Sequence, residues 1–141
     1  AVMGDREKYR ESVEKWVSLS SVVKVSDDDL AWLYPDTDQI EIAKGWIAGG
    51  VSVVVITKGA EGLIGVTADG MVTAAGEKVE VVDTIGAGDT VGAVIAEAVK
   101  VIGLSELHGA VLMTVLEKAA HAAAITCSRK GAQPPTAREL N

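Results

Sequence analysis

Val-Glu-Val-Val-Asp-Thr-Ile-Gly-Ala-Gly-Asp-Thr-Val-Gly, residues 79–92, is the stretch on which the reading of this chain turns. The β-branched Val79, Val81 and Val82 predict a strand. Gly86-Ala87-Gly88 interrupt it, and apolar periodicity from about residue 90 to 102 predicts a helix. The first N–H groups of a helix have no intrahelical partner, and the helix dipole is positive at that end, so such a turn is a ready anion site. Asp89 falls inside it. A turn that only held phosphate would be weakened by a negative charge there. A carboxylate in that place is useful if it takes the proton from a hydroxyl about to attack the phosphate.

Blander readings exist. An acidic residue in a first helical turn is common and stabilises by a few tenths to about 1 kcal/mol through the dipole. The segment is not a Walker loop, since no Gly-Lys-Ser/Thr follows the glycines. A dinucleotide-binding reading would use Gly86-x-Gly88 with Glu106 roughly 20 residues on. It would set Asp89 against the pyrophosphate, and Glu106 follows a helix rather than ending a second strand.

Outward from this segment, strands and helices alternate, which predicts an α/β layered fold. Residues 5 to about 18 form an amphipathic helix with Tyr9, Val13, Trp16 and Val17 on one face. Residues 22–25 make a short strand, and Ser26 with Asp27, Asp28 and Asp29 suits a helix start. A second helix covers 39–48 and ends at Gly49-Gly50. Residues 51–57 are nearly all apolar and β-branched, the pattern of a strand buried on both faces and therefore parallel. Residues 63–67 and 71–73 flank a hairpin turn at Ala68-Asp69-Gly70. A long helix runs from about 106 to near 127, and a tail with Pro134-Pro135 closes the chain. Trp16, Trp32 and Trp46 lie on amphipathic faces and are expected in the core. Only one or two strands have the pattern of a central strand, so further strands are expected from a partner half or a second copy.

With 141 residues, 48% of them hydrophobic, the chain suffices for one domain with a real core. No apolar run stands out as long enough to span a membrane. Cys127 is the only cysteine, so no intrachain disulfide forms, which favours a reducing, cytoplasmic setting. Thirteen Lys and Arg against 20 Asp and Glu give a net charge of −7. Clustered basic residues supply affinity for nucleic-acid backbones, so that partner is excluded. His108 and His121 share no metal spacing with each other or with Cys127.

Asp83-Thr84-Ile85-Gly86-Ala87-Gly88-Asp89-Thr90 closely resembles the C-terminal signature of the ribokinase/PfkB-like carbohydrate kinases. Lys24-Val25-Ser26 with Asp29, the loop Thr57-Lys58-Gly59-Ala60-Glu61-Gly62, and Ile125-Thr126-Cys127-Ser128-Arg129-Lys130-Gly131-Ala132 are similar to other family segments, in order and rough spacing. Trp16, Lys24-Val25-Ser26, Trp32-Leu33-Tyr34-Pro35 and Ile125-Thr126-Cys127 look most like bacterial fructokinases. The resemblance covers essentially all 141 residues.

This resemblance implies the C-terminal half of a ribokinase-like three-layer sandwich, a mostly parallel sheet flanked by helices, with residues 1–141 as its nucleotide-binding part. The family's N-terminal half, with most sugar contacts and the lid, has no counterpart here, and a start at Ala1-Val2-Met3-Gly4 fits a fragment or a cleaved product. The implied activity is transfer of phosphate from ATP to a sugar hydroxyl, with fructose the first expectation; another sugar or a nucleoside is the alternative, as is an inactive nucleotide-binding half needing a complement or forming a homodimer. Asp89 would be the general base, aided by the N–H groups of Gly86, Ala87 and Gly88. Thr57, Lys58, Gly59, Gly62 and Ala120 would line the nucleotide pocket, with His121 beside Ala120 at the adenine edge. Mg²⁺ would be held through water by Asp29 and Ser26, where the family has Glu and Asn, although capping by Ser26 explains that residue equally. Asp83, Ile85, Thr126, Arg129 and Gly131 match positions around a monovalent cation such as K⁺, largely through carbonyls, and a plain turn at Lys130-Gly131 explains the last of these as well.

Overall fold

The computed structural model describes residues 5–141; the opening tetrapeptide, whose start was read as a fragment end, lies outside them. The organising element is β2 (Val53–Thr57). Its side chains alternate between two faces, and Val53 through Ile56 are all essentially inaccessible. Val53 and Val55 join one apolar cluster, with residues of α4 (Ala87–Val101) and α5 (Gly109–Cys127). Val54 and Ile56 join another, with Val17 of α1 (Arg6–Ser18), Leu30 of α2 (Asp27–Leu33) and Ile42, Ala43 and Trp46 of α3 (Gln39–Ala48). Two helical layers therefore enclose one sheet.

The sheet runs in the order β1 (Val22–Ser26), β2, β3 (Gly62–Thr67), β4 (Gly70–Ala75). β1 pairs with β2 in parallel, from Val22 opposite Val53 to Ser26 opposite Thr57. β2–β3 and β3–β4 are antiparallel. The sheet is thus mixed rather than mostly parallel. The reason is local: the hairpin at Ala68-Asp69-Gly70 forces β4 back along β3, and the short turn at Gly59–Glu61 does the same for β3 on β2.

Local chemistry sets the helix starts. The Asp38 carboxylate accepts from the N–H groups of Ile40 and Glu41 at 3.0 and 3.2 Å and caps α3. Ser26 accepts the Asp29 N–H at 3.0 Å and caps α2. Opposite them, α5 lies close on the sheet because Gly65 has no Cβ; one placed there would sit 2.9 Å from both Leu112 Cδ2 and Leu116 Cδ1.

Four expectations are corrected. Residues 79–82 are not a strand: they are exposed and, among the described residues, hydrogen-bonded only where the Val82 N–H meets the Cys127 carbonyl at 2.8 Å. That also removes the strand a dinucleotide fold would need before the glycines. The long C-terminal helix begins only at Gly109, after a separate turn at Leu104–Glu106. α5 is, by length and composition alone, apolar enough to cross a bilayer, yet Leu112, Val115, Leu116 and Ala119 pack within the core cluster. Of the tryptophans only Trp46 is core; Trp32 is half-buried and Trp16 is 58% exposed. The aromatic face of α1 lies by the open edge of β1, where no described strand covers it.

Leu116 is fully buried between α5 and the sheet. Leu116→Ala is expected to lower stability by about 2–5 kcal/mol in urea unfolding. The exposed neighbour change Met113→Ala should stay within about 0.5 kcal/mol.

Candidate active site

The start of α4 is fixed by packing on the end of α5. Gly86 takes a left-handed conformation (φ 82°), and a Cβ there would lie 2.9 Å from Ala132 Cβ, so only glycine fits. One turn on, the buried Thr90 hydroxyl lies 2.8 Å from that of Thr126. The same hydroxyls reach the Gly86 carbonyl at 2.9 Å and the Ala122 carbonyl at 3.0 Å. Two hydroxyl protons serve three contacts, so Thr90 and Thr126 act as one unit joining the helices.

This packing leaves donors free at the mouth of α4. The Ala87 N–H turns to the Thr84 carbonyl at 3.3 Å, but those of Gly86, Gly88 and Asp89 meet no acceptor among the described residues. The Asp89 side chain is exposed and forms no hydrogen bond or ion pair with them. A further group, not singled out as a site residue from the sequence, lies here. Lys24 of β1 reaches over α4, and its Nζ would be 3.2 Å from a Cβ on Gly88. It has no carboxylate partner among the described residues. Strand period gave the signal: Val22, Lys24 and Ser26 share one face of β1, and Val22 packs with the α4–α5 cluster. A free ammonium, free amide donors and a free carboxylate therefore meet at one helix start.

Beside it lies a mainly apolar cleft of about 550 Å³. Gly59, Gly62 and Ala120, expected at a nucleotide, line it, and Thr84 and Ala87 carry it up to the start of α4. Val79 and Val81, expected from the sequence in a strand, form one wall of it together with Glu77. Thr57, Lys58 and His121 are not among its lining residues. Lys58 instead pairs with Glu61 at 3.0 Å, and His121 Nδ1 meets Glu77 at 2.5 Å.

For the expected magnesium ligands, the Ser26 hydroxyl donates to Asp29 Oδ2 at 2.6 Å while capping α2. No cluster of three or more His, Cys, Asp or Glu suited to a metal occurs among the described residues. The donors thus fit a water-mediated contact through one carboxylate rather than a closed metal cage.

The residues matched to a monovalent cation do converge. The Asp83 carboxylate accepts the N–H groups of Ile85 and Gly131, each at 3.0 Å. These bonds, led by that from Ile85, hold its pKa below the ordinary carboxylate value against the opposing effect of burial. The carbonyls of Asp83, Ile85 and Arg129 accept no hydrogen bond from the described residues, whereas those of Thr126 and Gly131 do. The Arg129 side chain turns away to the Pro134 carbonyl at 3.3 Å and to Glu139.

Residues 2–139 match the family model described as pfkB family carbohydrate kinase. A fructokinase from Rhizobium leguminosarum bv. trifolii is 42% identical over 100 residues, 71% of this chain and 31% of that protein. The fold superposes on aminoimidazole riboside kinase from Salmonella enterica, complexed with aminoimidazole riboside and an ATP analogue. The TM-score is 0.82 at 26% identity, over 95% of this chain and 45% of that one. Fructokinase from Vibrio cholerae O395, in its form with fructose, ADP and calcium ion, gives 0.80 at 24% identity, over 96% and 44%. The chain therefore spans about a third of the curated relative's length and under half of each structure's.

The tail packing against this region gives a pH test. The Thr136 N–H, then the Arg129 guanidinium, hold Glu139 at a pKa of about 2 against an ordinary 4.5. A depressed pKa means these contacts stabilise fully above about 4.5 and are lost as pH falls towards 2. Carboxyl NMR should place the Glu139 midpoint near 2, and Arg129→Ala should raise it while leaving it below 4.5.

Proposed function

The chain belongs to the pfkB family of carbohydrate kinases, and we propose that it is the nucleotide-binding, catalytic part of an ATP-dependent sugar kinase acting on fructose. One observation carries this reading: among the described residues Asp89 stands unpartnered beside free amide donors and the unpaired ammonium of Lys24, at the head of an apolar cleft. Such a cluster can hold a phosphoryl group and still leave a base for its acceptor. The apolar slot between Gly59, Gly62 and Ala120 suits the adenine of ATP, and its extension to Thr84 and Ala87 leads the phosphates to α4.

In the reaction, Asp89 accepts the proton of the attacking hydroxyl as that oxygen bonds to the γ-phosphorus and the bond to the ADP oxygen breaks in line. The N–H groups of Gly86, Gly88 and Asp89, with that of Ala87 once it leaves Thr84, meet the charge on the transferring group. Lys24 neutralises a further phosphate oxygen. Bound Mg²⁺ supplies additional neutralisation of the triphosphate, and Asp29 would hold it through water while Ser26 orients Asp29. The free carbonyls of Asp83, Ile85 and Arg129 would accept K⁺, with Thr126 and Gly131 shaping the turn around it.

Fructose as the acceptor rests on the similarity to the Rhizobium fructokinase. The superposition on a riboside kinase keeps a nucleoside as the competing acceptor. A second reading concerns completeness. Among the described residues β1 is bonded only to β2, and Trp16 and Tyr9, 58% and 51% exposed, flank its open edge. That favours a catalytic half that needs a complementing half to bind sugar.

Coupled ADP-release assays with fructose, ribose and adenosine test these points. The 141-residue chain alone is expected to phosphorylate none of them. In the protein completed by its sugar-binding half, Asp89→Asn should keep Mg·ATP affinity and lose roughly 10²–10⁴ in kcat. Undiminished turnover would remove Asp89 from the base role. Lys24→Met in the same protein should weaken Mg·ATP binding as well as slow turnover.

A further inference from the structure

One wall of the cleft is unusually loosely held. After β4, residues 77–81 make no backbone hydrogen bond with any described residue. The Gly76 N–H meets the Glu61 carbonyl at 3.3 Å at one end, and the Val82 and Asp83 N–H groups meet the Cys127 carbonyl at 2.8 and 3.1 Å at the other. Between these anchors the segment keeps Val79 and Val81 against the cleft, although both stay exposed. The opposite wall is Ala120, Ala123 and Ala124 of α5.

Among the described residues, only one side-chain hydrogen bond ties the strap to that helix between its anchors. His121 Nδ1, one residue past Ala120, donates to Glu77 Oε2 at 2.5 Å. Both groups are about half exposed, at 46% and 48%, so the contact can form and break without disturbing the core. We propose that Glu77 and His121 form a latch that holds strap 76–82 against α5 and sets how readily a nucleotide base enters and leaves the cleft. This rests on the nucleotide reading of the cleft and adds two positioning residues to it. Neither touches the reacting phosphate. Their effect passes through Val79 and Val81, which would cover one face of the base while the alanines of α5 cover the other. Breaking the contact leaves five residues without a lateral tie, and the apolar wall swings away from its partner.

Lys78 lies within the strap, so trypsin reports its opening directly. In the 141-residue chain, Glu77→Gln and His121→Gln are each expected to raise cleavage after Lys78 by roughly two- to fivefold, the range for an exposed ion pair. Amide exchange at 77–81 should rise in parallel. The double variant should match either single one, because the two changes break the same contact. The thermal midpoint should not move, since neither side chain is in the core. Mg·ADP, used as the probe in stopped-flow fluorescence, should dissociate faster from each single variant by a similar factor. Exchanging the pair, Glu77→His with His121→Glu, should restore both rates. Unchanged cleavage and exchange in both single variants would overturn the latch, as would strictly additive effects in the double variant. A wild-type chain that protects Lys78 through this pair yet binds no Mg·ADP would overturn the nucleotide role instead, and the protease readout separates the two failures.

Discussion

The contact on which the site depends is the buried hydroxyl pair of Thr90 and Thr126, 2.8 Å apart. It joins the first turn of α4 to the last turn of α5 from within the core, where each hydroxyl also reaches a carbonyl of its own helix. Net hydrogen bonds are worth only about 1 kcal/mol each, but a buried hydroxyl left unpaired costs about 1–3 kcal/mol. A slide of α4 along α5 would break the inter-hydroxyl contact while leaving each group its own-helix carbonyl, so the pair fixes the register of the two helices by about the worth of one buried hydrogen bond. Gly86 against Ala132 and Asp83 against the Ile85 and Gly131 N–H groups set the approach from outside the helix. Three independent contacts converge on one turn, and the donors of that turn are left free as a result.

How far the sequence foretells this depends on what each residue answers to. Residues 53–56 were legible because a strand buried on both faces has to be apolar at every position. The Gly86-Ala87-Gly88-Asp89 turn was legible because a left-handed start and a close neighbour both demand small residues. The Val79, Val81, Val82 run misled because β-branching reports a preference for extended backbone, and an extended strap shares that with a strand. What a strand also needs, a neighbour to bond with, is not encoded within the run. The direction of β3 was equally hidden, since it follows from the short turn between β2 and β3. Lys24 was quoted within a family-like segment but given no role of its own, because its neighbourhood is set by α4, which is distant in sequence. Lys58 and His121 do not line the cleft, and which carboxylate each meets, Glu61 or Glu77, is settled by tertiary packing.

The open edge of β1 is the largest departure from a self-contained fold. An exposed strand with free N–H and C=O groups invites pairing, and proteins restrain this with charges or cover. Lys24 sits at the middle of the five-residue strand. Two copies pairing antiparallel about that centre would place Lys24 opposite Lys24, an arrangement that like-charge repulsion disfavours. A different strand, without a cation at that register, meets no such obstacle. The exposed Trp16 and Tyr9 beside the edge, and the share of each solved relative left without a counterpart, agree with an edge completed by unlike chain rather than by itself.

Charge poses the last difficulty, because a chain of net charge −7 is proposed to hold a polyanion. Screening limits how far that surplus reaches: at physiological salt, exposed charges more than about 8 Å apart are largely hidden from one another. What a phosphate meets is decided within the first turn of α4 and the strand beside it. There, Lys58 and Arg129 contribute little, since each is committed to a neighbouring glutamate. Lys24 is not committed, and it lies over the same amide donors that the helix dipole makes positive. Asp83 at that turn is engaged by the Ile85 and Gly131 N–H groups, whereas Asp89 accepts no bond from the described residues and would be available to collect a proton. Among the described residues, a free ammonium, several free amide donors and a free carboxylate at that turn form a local balance that the proposed phosphoryl transfer would use, whatever the sign of the whole surface.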